Sequence, residues 1–287
     1  MEYSVAKFNR MLNESVSAQE QFLRWTDYRE AVTSFASEAM IADASSIVLG
    51  AGNLYDIDLN TLNKYSNQIV LADIDRQAVL QGVKRYGSEG DIRVIRNDLG
   101  GLDFNSVFKK TAAYIDKGDT EGLRNYLSGY KFEDNFDTGT YDNILVSSIY
   151  TQLFIPQFLE LLHETNPASK EELIEAALSF AARLISHVND LILMHAADEA
   201  SVCVWTDMFE YATGSPALSD IENHIDDSKW MDDFYYAYIR DYGHGLGTFG
   251  ISEMSDRLKD VKQKWLLWPF NDYRTLVVKI INGFTSK

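Results

Sequence analysis

The residues with the clearest chemical potential are two glycines, Gly50 and Gly52, in the run SSIVLGAGNLYDIDL between Ser45 and Leu59. A strand that ends in such a turn presents backbone N–H groups at the carboxyl edge of a sheet, where a cofactor can lie. Glycine has no Cβ, so the chain can approach a ligand closely. Ala51 and Asn53 share the turn, and Asp56 and Asp58 follow it. A dinucleotide loop of the GxGxxG type needs glycine at position 55, where this chain has Tyr55. A phenol there crowds a pyrophosphate against the helix start. An NAD-dependent oxidoreductase is therefore the rival reading, not the first. No Gly-Lys-Ser/Thr loop appears, which disfavours a nucleoside triphosphatase further.

Two more aspartates stand just past apolar runs. QIVLA at 68–72 leads into Asp73 and Ile74, and the run at 92–95 leads to Asp98 and Leu99. A carboxylate only accepts hydrogen bonds, and at 73 it can take both hydroxyls of a ribose. At 98 it can accept from an adenine N–H. Asp56 or Asp58 can pair with an ammonium group. Each aspartate also has an ordinary role open to it. Asp58 and Asp75 suit helix N-caps, and Asp98 before Leu99 and two glycines suits a turn. Their joint spacing, matching successive strand ends, favours a ligand.

The elements that must position these residues read as an α/β pattern. Apolar residues at helical spacing between Tyr3 and Ala42 (Val5, Phe8, Met11 and Leu12, then Phe22, Trp25 and Tyr28, then Val32, Phe35 and Met40) predict two or three helices. Ser15 or Ser17 can cap between them. They form an expected cap or lid over 1–43, ahead of an α/β domain over 44–287. Strands are expected at 46–49, 68–72, 92–95, 143–147 and 202–206. Helices are expected at 58–65, 76–86, across 104–127 with a break at Gly118, from 170 towards 197, and over 221–258 with an interruption at YGHGLGTFG. Such alternation calls for a mostly parallel sheet covered on both faces. At the end, KWLLW (264–268) and LVVKII (276–281) are separated by a connection too short for a helical crossover, so they form an antiparallel hairpin.

In this order the residues resemble the class I S-adenosylmethionine-dependent methyltransferase family. VLGAGN at 48–53 is similar to its glycine-rich first motif, ADIDRQAV at 72–79 to the end of its second strand, RNDL at 96–99 to the motif at the adenine, and YDNILVSS at 141–148 to its fourth strand. The resemblance implies a Rossmann-like three-layer sandwich whose seven-stranded sheet ends in an antiparallel hairpin. It also implies S-adenosylmethionine as cofactor, held by Gly50, Ala51, Gly52, Asn53, Asp56, Asp73, Ile74, Asp98, Leu99 and Ser147. Two positions depart from the family pattern: Val48 stands where an acidic residue is usual, and Leu54 where a third glycine is frequent. A non-catalytic domain that keeps the fold is the alternative these departures leave open.

Methyl transfer to a good nucleophile requires alignment more than a catalytic side chain. If the acceptor must lose a proton, Tyr150 after strand four, Asp207 after strand five and His244 in the glycine-flanked stretch are the candidates, with Tyr211 also nearby. The aromatic residues of the first helices, with Trp205, Phe209, Trp230, Phe234, Tyr235 and Tyr236, can line a small-molecule pocket or pack the core.

Composition narrows the partners. A formal charge of −17 across 287 residues argues against nucleic acid and anionic membranes, and favours a small molecule or a basic protein over RNA or DNA, with a small-molecule acceptor the first reading and a protein the second. The lone Cys203, between Val202 and Val204, excludes an internal disulfide and reads as a buried strand residue. Five histidines form no HxH or HExxH pattern, so no metal is expected. No run approaches 18 apolar residues and no signal-like start is visible, so the expected location is cytoplasmic, with a homodimer possible.

Overall fold

The computed structural model describes residues 18–87, 90–100, 102, 104–134, 139–165, 170–243 and 245–286. Its centre is a seven-stranded sheet in the order β3-β2-β1-β4-β5-β7-β6. The strands are β1 (Ala44–Leu49), β2 (Ser66–Asp73), β3 (Ile92–Arg96), β4 (Tyr141–Ser147), β5 (Ala196–Ala212), β6 (Lys259–Trp268) and β7 (Arg274–Phe284). Strands β1 to β5 pair in parallel, and β7 enters antiparallel between β5 and β6. This is the Rossmann-like sandwich with a terminal hairpin. Because β7 runs backwards, its first residue, Arg274, lies opposite Ala212 at the end of β5. The β6–β7 turn therefore sits at the same sheet edge as the ends of the parallel strands.

The parallel strands read as unbroken apolar runs because both faces are covered. Ile47, Leu49, Val146 and Val204 pack into one core, while Val48, Leu71, Leu145 and Trp205 pack into the other. The first core is closed by α5 (Phe104–Asp116), α6 (Thr120–Ser128), α7 (Ile155–Thr165), α8 (Lys170–Met194) and α11 (Leu246–Arg257). Against the second lie α2 (Thr26–Ser37), α3 (Leu59–Tyr65) and α4 (Arg76–Tyr86), with α1 (Ala18–Arg24) beside α2. A third cluster gathers Phe209, Trp265 and Val277 under α9 (Pro216–His224) and α10 (Ser228–Tyr242).

Local chemistry sets several boundaries. Asp58 accepts from Asn60 N at 3.2 Å and Thr61 Oγ1 at 2.7 Å, which starts α3. Asp75 accepts from the backbone of Gln77 and Ala78 and starts α4, and Gly87, at φ +58°, ends it. Helix α7 falls outside the expected helices, and α9 starts five residues ahead of the helical region expected over 221–258. Strand β5 is 17 residues long, far beyond 202–206, because its second half pairs with β7. The long α8 is apolar enough to cross a membrane by length and composition, yet Leu173, Phe180, Leu184 and Val188 on it are core residues. Val5, Phe8, Met11, Leu12, Ser15 and Ser17 lie outside the described residues. The expected N-terminal helices that are described, α1 and α2, pack into the sheet's own core through Trp25, Tyr28, Val32 and Phe35.

Candidate functional site

A crevice of about 350 Å³ opens at the carboxyl edge of the sheet. Gly50, Ala51, Gly52, Asn53, Asp56, Asp73, Ile74, Asp98, Leu99 and Ser147 all line it. They come from the ends of β1, β2, β3 and β4. Sequence separation of nearly a hundred residues collapses here because parallel strands deliver every carboxyl end to one edge.

The β1 turn is held in shape by its own backbone geometry. Gly50 has φ +73°, and a Cβ there would stand 2.4 Å from Ile149 Cγ2 and 2.8 Å from the Ser147 carbonyl oxygen. Gly52, at φ +47°, has nothing nearer to its would-be Cβ than the Gly50 carbonyl at 3.9 Å. Leu54, at the position where a third glycine is frequent, also adopts positive φ, +55°, with its side chain wholly buried. The strained backbone is kept by packing, not by a glycine. Nearby, Arg85 donates to the Asn53 carbonyl at 3.0 Å, and Tyr86 Oη donates to the carbonyls of Leu54 and Ile57.

Asp73 is organised by the same turn. Its Oδ2 accepts from Gly52 N at 2.9 Å and its Oδ1 from Asp75 N at 2.7 Å. Burial pushes its carboxyl above the usual range, and those two backbone hydrogen bonds pull the other way. Asp56, not Asp58, reaches the crevice: Asp58 is the cap of α3. Asp56 Oδ2 accepts from Ser147 Oγ and, at 3.0 Å, from Trp205 Nε1. Burial raises this carboxyl too, opposed by the Ser147 and Trp205 bonds and by the Arg29 charge. Asp98 accepts from Gly100 N at 3.2 Å, the local turn expected of it, while still lining the crevice.

Of the three candidate bases, two fall away from the crevice. Tyr150 is core: its ring lies against Gly250, and its hydroxyl donates to Asn189 Oδ1 at 2.7 Å, which burial and the Glu253 charge make harder to ionise. Asp207 accepts from Thr151 Oγ1 at 2.8 Å and does not line the crevice. Burial raises its carboxyl. His244 lies outside the described residues. Cys203 is buried, and burial pushes its thiol up, as expected of a packing residue.

Residues from the far side of the sheet complete the walls. Trp268, Phe270, Asn271 and Arg274 on the β6–β7 hairpin line the crevice, as do Gln21 and Trp25 from the first helices. The two groups are tied together: Arg24 pairs with Asp272 at 2.5 Å, and Trp25 Nε1 donates to the Phe270 carbonyl at 3.3 Å. Arg29 fastens the helices to the β1 turn, donating to the carbonyls of Phe22 at 2.9 Å and Tyr55 at 3.1 Å. The helices thus both cover the sheet and wall the site. Motif spacing could not single out the hairpin residues, but the antiparallel hairpin itself places its turn at the ligand edge. From β4 and beyond, Ser148 (φ +43°), Ile149, Gln152, Leu153 and Gln157 also line it, as does Tyr55 of the β1 turn.

No family model matches the chain, and no curated protein matches it. Among solved structures it is similar to the N-methyltransferase NodS from Bradyrhizobium japonicum WM9 in complex with S-adenosyl-L-homocysteine, at 9% identity over 99% of this chain and 95% of that one, TM-score 0.45. It is also similar to TehB from Haemophilus influenzae, at 7% identity over 96% and 65%, TM-score 0.46. A third is an O-methyltransferase family protein from Burkholderia thailandensis, at 12% identity over 97% and 60%, TM-score 0.40. The class assigned to this chain, a Rossmann-like α/β protein with an antiparallel terminal hairpin, follows from its own strand order and pairing.

Proposed function

We propose that the crevice binds S-adenosylmethionine and that the protein transfers its methyl group to a small molecule. The observation that carries this is the convergence of the β1 glycine turn, Asp73 and Asp98 on one crevice at the carboxyl edge. Each Asp73 oxygen accepts one backbone hydrogen and keeps a lone pair for a ribose hydroxyl. The buried Asn97 Oδ1 also lines the crevice and finds no hydrogen-bond partner among the described residues, which suits an adenine amino group. The open space beside Gly52 lets a ligand approach the backbone. Asp56 suits the ammonium of the amino-acid tail. The residues present therefore fit the cofactor.

When bound, the cofactor supplies an electrophilic methyl on a sulfonium. The chain's own part is to orient and to exclude water. Strands β1 to β4 hold the nucleoside end, while α1, α2 and the hairpin turn close over the opposite end. Neither Tyr150 nor Asp207 lines the crevice, which suits an acceptor that needs no strong base. The same fact favours the second reading, a domain that binds the cofactor without transfer.

Calorimetric titration with S-adenosylmethionine and S-adenosylhomocysteine tests the proposal. Binding that is lost in Asp73→Ala supports it. A folded protein that takes neither ligand ends it, and tight NAD binding in their place favours an oxidoreductase. Binding without turnover on any acceptor leaves the non-catalytic domain.

A further inference from the structure

The two ends of the crevice differ in chemistry. At one end, over β2 and β3, stand Asp73 and Asp98. At the other, beyond β4 and β5, the walls are aromatic: Trp25 meets Tyr55 at 5.7 Å between ring centroids, Trp268 at 4.7 Å and Phe270 at 5.7 Å. Two obligate donors of this end lack an acceptor among the described residues. One is Nε1 of Trp268, a residue only 5% exposed; the other is the buried Nε of Arg274, whose Nη1 is engaged by Glu210 at 3.2 Å. Indole and guanidinium N–H groups cannot accept, and a buried donor left unmade costs roughly 1–3 kcal/mol. Ser148, on the same wall, has left-handed backbone at the end of β4 and its side chain faces Tyr28. Strain of this kind concentrates at functional sites.

We propose that the hairpin end seats the methyl acceptor, and that the acceptor is a flat apolar molecule bearing a carboxylate held by Arg274 and Trp268. This rests on the methyl-transfer reading above. The aromatic walls take the flat body, and the carboxylate accepts from both N–H donors. An amine acceptor is the poorer match. The Asp56 oxygen that reaches towards this region already receives Ser147 and Trp205. The cofactor's own carboxylate is the other possible source of the same chemistry, because Trp25 bridges Tyr55 of the β1 turn and Trp268 of the hairpin, and the arms of the test separate the two.

The test is ligand-observed NMR and calorimetry on the full chain saturated with S-adenosylhomocysteine. The probes are benzoate, 4-hydroxybenzoate, anthranilate and indole-3-acetate, each beside its amide. The acids should bind and the amides should not. Arg274→Gln should weaken the acids by about tenfold or more, and Trp268→Phe, which keeps a ring and loses the N–H, by less. Circular dichroism and melting confirm that each variant is folded. Acids that bind no better than amides, or as well to folded Arg274→Gln as to the parent, overturn the proposal. Loss of S-adenosylhomocysteine from Arg274→Gln with no acid binding to the parent also overturns it, assigning the donors to the cofactor tail. If the parent takes no S-adenosylhomocysteine, the methyl-transfer reading fails, and the same acids titrated into the free protein still decide the carboxylate seat.

Discussion

Replacing Gly50 by alanine should destabilise the fold far more than the same change at Gly52, although both glycines sit in one turn with positive φ. At Gly50 two costs combine. An L-residue in the left-handed region pays about 1–2 kcal/mol. The added Cβ also meets the Ser147 carbonyl at 2.8 Å and Ile149 Cγ2 at 2.4 Å. The methyl can give, but the carbonyl belongs to the central strand β4, so backbone must move, an overpacking cost of about 1–3 kcal/mol. The total is roughly 2–5 kcal/mol, a large share of the roughly 5–15 kcal/mol that stabilises a typical domain. At Gly52 the nearest atom is 3.9 Å away, so only the backbone term applies, about 1–2 kcal/mol. Urea unfolding of both variants and the parent, at constant slope, gives the comparison directly. Gly52→Ala should nevertheless weaken S-adenosylhomocysteine, because its methyl enters the crevice beside Asp73. Equal destabilisation by the two variants would refute the close approach of β1 to β4 on which the crevice depends.

Three further outcomes follow from the same geometry. Burial raises the Asp56 carboxyl, so the stability linked to its protonation is full below the ordinary aspartate pKa and is lost as pH rises through the raised value. Asp56→Asn, whose amide oxygen can still accept from Ser147 and Trp205, should therefore gain Tm over the parent at about pH 8 and gain little at about pH 4; a pH-independent difference contradicts this. Leu54→Ala should cost about 2–5 kcal/mol from the cavity, while Leu54→Gly should be no worse because it relieves the left-handed strain; chemical denaturation that finds the glycine variant clearly weaker removes that strain argument. Arg29→Met leaves the carbonyls of Phe22 and Tyr55 without their donor and should cost about 1–3 kcal/mol. Limited proteolysis should then cut between α1 and β1 faster than in the parent, and unchanged cleavage would show that Arg29 is not the fastening.

The sequence alone determined what depends on near neighbours. Strand runs such as QIVLA were legible because both faces of a parallel strand are covered, and Asp58 and Asp75 were legible as caps because a cap acts within three residues. The hairpin was legible from a connection too short for a crossover. Tertiary structure decided what depends on partners far along the chain. It chose between Asp56 and Asp58 by running Ser147 and Trp205 up to the former. It turned Tyr150 into the core, where Asn189 of α8 and Gly250 of α11 receive it. The second half of β5 became strand because β7 arrived to pair with it. Leu54 kept the turn that a glycine usually keeps, since complete burial can offset a strained φ. Trp268 and Arg274 reached the crevice because an antiparallel strand starts where parallel strands end. Spacing along a chain records local hydrogen bonding and periodicity; which side chains share a cavity is set by strand order, and that is a property of the whole sheet.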